Sequence, residues 1–252
     1  MVKGRILKKM GYLADQQGII NRYLREAGGW DSHLLKCRDY ILDKLNKYSP
    51  AVVTVLGSGW LLDVPLEELA EKCNTINLVD INHPPQVARK VKQYPGVNLI
   101  KDDITGGLIE HIWKSGTEIT DPSLVKVPVY SPSYDPGMVI SLNVLTQTDT
   151  LISDYLGRKG HSDISSLRAL RGEIQSAHLS FLLKHPSILI TDYSELIFDK
   201  DALFAQNELL FVELPPGSET TEWEWDFDNS GEYYKRKRLL FKVMAIDYVK
   251  RG

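Results

Sequence analysis

The amino-acid sequence predicts an α/β protein with a doubly wound, mostly parallel sheet that ends in an antiparallel hairpin, preceded by an N-terminal helical extension. Short apolar runs alternate with amphipathic helical patterns between residues 51 and 193, the arrangement of right-handed βαβ units. The last third replaces that alternation with two β-rich runs joined by a turn, and strands joined so locally pair antiparallel. The first 48 residues carry helical patterning alone.

That extension, residues 1–48, is expected to break at Gly28-Gly29 and restart at Trp30-Asp31-Ser32, where Asp31 or Ser32 supplies a cap. In the restarted helix Leu34, Leu35, Tyr40, Ile41 and Leu45 form an apolar stripe, and Ser49-Pro50 ends it. Residues 49–252 are then expected to form the α/β domain. Its parallel strands are read at AVVTVL (51–56), TINLVD (75–80), VNLI (97–100), MVISLNVL (138–145) and SILITDY (187–193). Helices are read at about 63–73, 85–94, 105–114 and 161–184. The hairpin pairs TEWEWDF (221–227), which alternates with a period of two, with RLLFKVMAIDYV (238–249). The Pro- and Ser-rich segment 115–137 is a long connection able to fold over a site or simply to cover core.

Composition narrows the function classes. A 252-residue chain with 43% hydrophobic and 25% charged residues has the makeup of a soluble globular protein. A net charge of −3 gives no global attraction to nucleic acid or to anionic membrane. The N-terminus lacks the continuous apolar core of a signal peptide, and no run reaches the roughly 18 to 20 apolar residues of a membrane span. Two cysteines, Cys37 and Cys73, are too few for a disulfide framework. A cytoplasmic location is expected, without metal; homo-oligomerisation is left open.

A doubly wound sheet binds ligands outside the carboxyl ends of its strands, where the strand order reverses. Here the first strand runs into Gly57-Ser58-Gly59-Trp60, with two of the three glycines of G-x-G-x-x-G and Leu62 in place of the third. The second strand ends at Asp80-Ile81, the third at Asp102-Asp103-Ile104, and the fourth at Asn143-Val144. Asp80 lies 21 residues beyond Gly59, where a carboxylate is placed to accept hydrogen bonds from ribose hydroxyls. Each position also has a plainer use. The glycines make a turn, Asp80 and Asp103 cap following helices, and Asn143 satisfies loop backbone. Four strand ends presenting small or polar groups to one crevice favour a nucleotide-like site.

The succession VLGSG, LVDI, KDDI and VISLNVLTQ, with the terminal hairpin, resembles the class I S-adenosylmethionine-dependent methyltransferases over about residues 50–250. The resemblance implies a seven-stranded sheet, with the Gly57–Trp60 loop at the methionine part of the cofactor and Asp80 and Ile81 at the ribose. It also implies Asp102, Asp103 and Ile104 at the adenine, and Asn143 and Val144 facing cofactor and acceptor. The chain departs from the family at Val55, where an acid is usual, and at Leu61, where a third glycine is usual. Trp60 adds bulk that stacks on the ligand or fills the core beneath it. A small-molecule acceptor is expected, because the Asn143 segment lacks the Asn-Pro-Pro-Tyr or Asp-Pro-Pro-Tyr pattern of enzymes that methylate base amines. A noncatalytic binding or regulatory protein on the same fold, and less so an NAD-dependent oxidoreductase, are the alternatives.

Other conspicuous groups read as structure. His161, His178 and His185 share no ligand spacing, and His178 is expected half-buried on its helix. Lys235-Arg236-Lys237-Arg238 is read as a solvated hairpin offset by Asp226, Asp228 and Glu232. Trp223 and Trp225 share one side of a strand and are expected to pack under a helix or a partner rather than to form a base-stacking platform. Tyr193 is expected as a rim aromatic.

Overall fold

A computed structural model describes residues 2–249; Met1 and residues 250–252, at the ends of the two expected segments, lie outside the described residues. The N-terminal extension holds three helices, α1 (Gly4–Met10), α2 (Tyr12–Arg25) and α3 (Asp31–Tyr48). The expected break at Gly28 is present with φ +90°, and a further one occurs at Gly11, whose φ of +108° ends α1. Neither Asp31 nor Ser32 caps α3; Trp30 occupies that place without a side-chain bond. The buried face of α3 is Leu34, Cys37, Tyr40, Ile41 and Leu45, packed into the apolar cluster beneath the sheet. Leu35, expected on that stripe, is 57% exposed, because one helical step of about 100° turns it away from Leu34.

Eight strands form one sheet: β1 (Val52–Leu56), β2 (Thr75–Asp80), β3 (Val97–Lys101), β4 (Met138–Leu142), β5 (Ser187–Asp199), β6 (Ala202–Glu208), β7 (Glu219–Asp228) and β8 (Arg238–Asp247). Seven of them lie in the order β3-β2-β1-β4-β5-β8-β7, parallel as far as β5 and antiparallel from β5 through β8 to β7. The doubly wound sheet and its closing hairpin are therefore as expected. The additional strand β6 pairs with the outer half of the 13-residue β5 through a tight turn at Lys200. Its side chains are nearly all exposed, so it lacks the one-sided apolar alternation that marks a strand in sequence.

Helices α4 (Leu66–Lys72), α5 (Pro85–Val91), α6 (Leu108–Ser115), α7 (Gln147–Arg158) and α8 (Ile164–Leu182) connect the strands. The first of these begins three residues later than expected, at Leu66. The unanticipated helix is α7: the fourth strand stops at Leu142, Asn143 turns the chain with φ +48°, and Thr148, Ile152, Tyr155 and Leu156 then bury one helical face. Asp163 caps α8 by accepting from the amides of Ser165 and Ser166. No helix among the described residues is long and apolar enough to cross a membrane.

His178 is buried rather than half-buried, because it faces β4, with its Nε2 2.8 Å from Ser141 Oγ. Desolvation lowers its pKa from 6.5 to about 4. The unfolded chain therefore takes up a proton below pH 6.5 that the folded protein refuses until about pH 4, so the contribution of His178 to stability falls with pH across that window. Denaturant titrations of the wild type and His178→Gln should diverge there, the wild type losing roughly 1.4 kcal/mol per pH unit relative to the variant. A difference independent of pH would refute the buried, neutral imidazole.

Candidate functional site

A cavity of about 560 Å³ opens at the carboxyl ends of the strands, with α2 along one wall. Its size suits a small-molecule site. Gly57, Ser58, Gly59, Trp60, Asp80, Ile81, Asp102, Asp103, Ile104, Asn143 and Val144 all line it. Residues separated by up to 87 positions in the chain thus share one wall, because β1 pairs in parallel with both β2 and β4.

The glycine loop is shaped first by its own packing. Gly57 has φ +80°, and a Cβ there would lie 2.7 Å from Val144 Cβ and 2.8 Å from the Leu142 carbonyl oxygen. Gly59, at φ +44°, donates its amide to Asp80 Oδ2 at 2.8 Å. Leu61 stands where a third glycine is usual, yet its φ is +57°; the glycine-like backbone persists and the leucine side chain is buried in the core. Val55 is likewise a fully buried core residue. Because α4 begins at Leu66, the loop amides are not at the N-terminus of a helix.

Asp80 caps no helix. Its Oδ1 accepts from the Asn82 amide at 3.2 Å, and burial raises its pKa. Above it, Gln16 of α2 donates to the Asn82 carbonyl at 2.7 Å and accepts from Asn82 Nδ2 at 2.8 Å. Trp60 donates its indole N–H to the Gln16 carbonyl at 2.7 Å, so this residue latches α2 across the strand ends. Asp102 accepts from Tyr130 Oη at 2.9 Å, drawing the 115–137 segment over the third strand end. Asp103 accepts from the amide and hydroxyl of Thr105 through Oδ1. It does not cap α6, whose N-cap is Gly107.

The site also contains residues that the strand-end rule does not reach, His33, Cys37 and Asp63, beside Thr146 and Asp192, which that rule places after the fourth and fifth strands. Asp63 accepts from Asn143 Nδ2 at 2.8 Å and stands close to His33 and Cys37, with their ligating atoms within 4.8 Å of one another. Trp223, which can only donate, gives its indole N–H to His33 Nδ1 at 3.1 Å. Burial lowers the pKa of the ring to about 3, and its Nε2 lies 3.2 Å from Asn143 Nδ2 and 3.6 Å from Cys37 Sγ. Trp225 stacks on the His33 ring at 3.9 Å, so the two hairpin tryptophans pack under α3. Further along, Asp192 at the bend of β5 accepts from Thr146 Oγ1 at 2.6 Å, and burial raises its pKa to about 6. Arg22, Phe227 and Tyr233 close the cavity at the hairpin end.

Buried polar atoms without a partner concentrate here. Tyr12 Oη, Arg22 Nε, Ser58 Oγ, Asp103 Oδ2, Asn143 Oδ1 and Trp225 Nε1 all belong to residues of the cavity wall. Native proteins rarely leave such groups unsatisfied, because each forfeits hydration without compensation. A ligand offering donors and acceptors along this wall would satisfy them. The signal for Asp63, Gln16 and Arg22 was weak in the sequence: single polar residues on a loop and a helix, brought to the site from outside the strand ends.

No protein-family model matches the chain, and no curated protein matches it. Among solved structures, one similar chain is the N-methyltransferase NodS from Bradyrhizobium japonicum WM9 in complex with S-adenosyl-L-homocysteine, 13% identical with a TM-score of 0.35 over 84% of each chain.

The contacts at Gly57 make a stability prediction. Gly57→Ala should cost at least about 2 kcal/mol in denaturant unfolding, from left-handed strain and overpacking together. Adding Val144→Ala should recover only part of that cost, since the Leu142 carbonyl and the positive φ remain. Full recovery would locate all the cost in the Val144 contact, and no cost at all would refute the close approach.

Proposed function

We propose that the protein transfers a methyl group from S-adenosylmethionine to a small-molecule acceptor. The observation that carries this reading is the row of unsatisfied buried polar atoms in one cavity that follows the strand-end motifs. The residues present suit such a cofactor. Asp103 Oδ2 is an unpartnered acceptor for an exocyclic amine, beside the apolar Ile104. Asp80 is held by two backbone amides with lone pairs to spare for ribose hydroxyls. Gly57, Ser58 and Gly59 border the methionine end. There Val55 brings no carboxylate, and the Asp63–Asn143 pair provides one from the other side of the loop.

When bound, S-adenosylmethionine supplies an electrophilic methyl group on a sulfonium. The chain's own task is then to hold an acceptor in line and exclude water, which accounts for much of the acceleration in such transfers. The α2 latch through Gln16, Asn82 and Trp60 excludes water from above the strand ends. Asp192 takes the place of a general base for an acceptor that must lose a proton, with an oxygen positioned by Thr146 and a pKa near 6. Val55 and Leu61 favour a second reading, a noncatalytic binding or regulatory protein that keeps the same crevice.

Calorimetry with S-adenosylmethionine, S-adenosylhomocysteine and NAD tests the cofactor. Micromolar affinity for the homocysteine product without NAD binding is expected; binding of none of the three would overturn this reading, and NAD binding alone would point to hydride transfer. Asp80→Ala should weaken binding of the product by at least about 1.5 kcal/mol, the order of a charge-assisted hydrogen bond. An unchanged affinity would remove Asp80 from the ribose.

A further inference from the structure

The hairpin end of the cavity holds a cation, Arg22, that no carboxylate reaches as an ion pair among the described residues. The Arg22 guanidinium lies 4.4 Å from the ring centroid of Phe227 and 4.6 Å from that of Tyr233, held between two aromatic faces. Its Nε is buried without a hydrogen-bond partner, and Arg22 makes no ion pair among the described residues. Of the neighbouring carboxylates, Glu26, Asp228 and Glu232 are paired by Arg25, one turn further along α2, and Asp228 and Asp15 act on Arg22 only through their field. Asp228 also accepts from Ser230 and from the Tyr233 amide. Asp15, two turns earlier, lines the same cavity and shares the field of Arg22 without reaching it as an ion pair. The remaining cavity arginine, Arg171, is bonded to Asp149.

An unpaired guanidinium taken partly out of water is costly unless something pairs with it. Its planar fork matches a carboxylate in two parallel hydrogen bonds, and cation–π contact with the two rings holds the guanidinium at the wall. The wall beside it is largely aromatic, with Trp225, Phe227 and Phe241, and the unpartnered indole N–H of Trp225 adds one more donor; its carboxylates are Asp15 and Glu195, the latter already accepting from Asn207 and Tyr234. A single positive charge on such a wall suits a monoanion with a flat apolar body better than a dianion. Resting on the methyl-transfer reading for the word acceptor, but on Arg22 alone for the binding, we infer that the hairpin end is the acceptor subsite and that it selects an aromatic carboxylate through Arg22.

The test uses the full chain with benzoate, its neutral isostere benzamide and phenyl phosphate, each titrated by ligand-observed NMR with and without S-adenosylhomocysteine. Benzoate should bind at least tenfold tighter than benzamide, and tighter than phenyl phosphate. Arg22→Gln should abolish the preference over benzamide, and Arg22→Lys should retain part of it, both with a wild-type circular dichroism spectrum. Equal affinity for benzoate and benzamide, absence of benzoate binding, or a preference that survives Arg22→Gln would each overturn the inference, and tighter phenyl phosphate binding would overturn its choice of carboxylate. Affinity for S-adenosylhomocysteine is read separately in the same samples. A benzoate preference without it would leave the Arg22 subsite standing and remove the cofactor, whereas the reverse result would remove the subsite alone.

Discussion

Everything at the site depends on β1 being paired in parallel on both sides, with β2 on one edge and β4 on the other. The chain leaves β1 toward β2 and returns to its opposite edge with β4, so the connections diverge and a crevice opens above the strand ends. Gly57 sits at that fork, where the end of β1 approaches Leu142 and Val144 too closely for any side chain. The packing of the fork therefore demands the first glycine before any ligand does, and Gly59 follows by handing its amide to Asp80. A glycine loop that began as a weak binding motif is a structural joint on which the cavity is built.

The N-terminal extension completes the cavity rather than standing apart from it. Helix α3 is buried against the sheet and joined to β7 by the stacking of His33 on Trp225 and the bond from Trp223. Helix α2 has no fully buried residue, and Tyr12, Leu13, Ile19 and Tyr23 pack only partly buried against the core. Polar contacts add to this, Gln16 to Asn82 and Trp60 at one end and Arg25 to Asp228 and Ser230 at the other. Elements held by few apolar contacts open at lower free energy than the core. A wall with that character can admit a ligand while the sheet beneath it stays fixed.

The electrostatics of the cavity set binding against stability. Asp63, Asp80, Asp103 and Asp192 all have pKa values raised by burial. Arg22 is lowered for the same reason. Each is a group the folded protein holds in a less favourable protonation environment than the unfolded chain does. Such concentrations of unfavourable burial occur where a bound molecule is to restore the missing interactions.

The strand ends were legible because the short apolar runs, their spacing and the residue that follows each depend only on local sequence. Topology then brought Gly57, Asp80, Asp103 and Asn143 together by rule. Strand β6 was not legible, since its exposed side chains leave no apolar alternation; β5 was read only as far as Tyr193, although Ser194, Glu195, Leu196 and Ile197 beyond it are buried. Nor was α7, whose buried residues include Thr148 and Asp149 in place of apolar ones. From periodicity and strand-end residues alone, the chain specifies a doubly wound sheet with a polar crevice over its switch point. Tertiary packing alone decides that Leu61 takes a glycine-like φ, that Asp63 approaches the loop from outside the motif, and that Arg22 meets Phe227 across 205 residues. The last of these arises where α2 meets β7 and the second where the loop after β1 meets the end of β4, and no local pattern encodes a contact between segments so far apart in the chain.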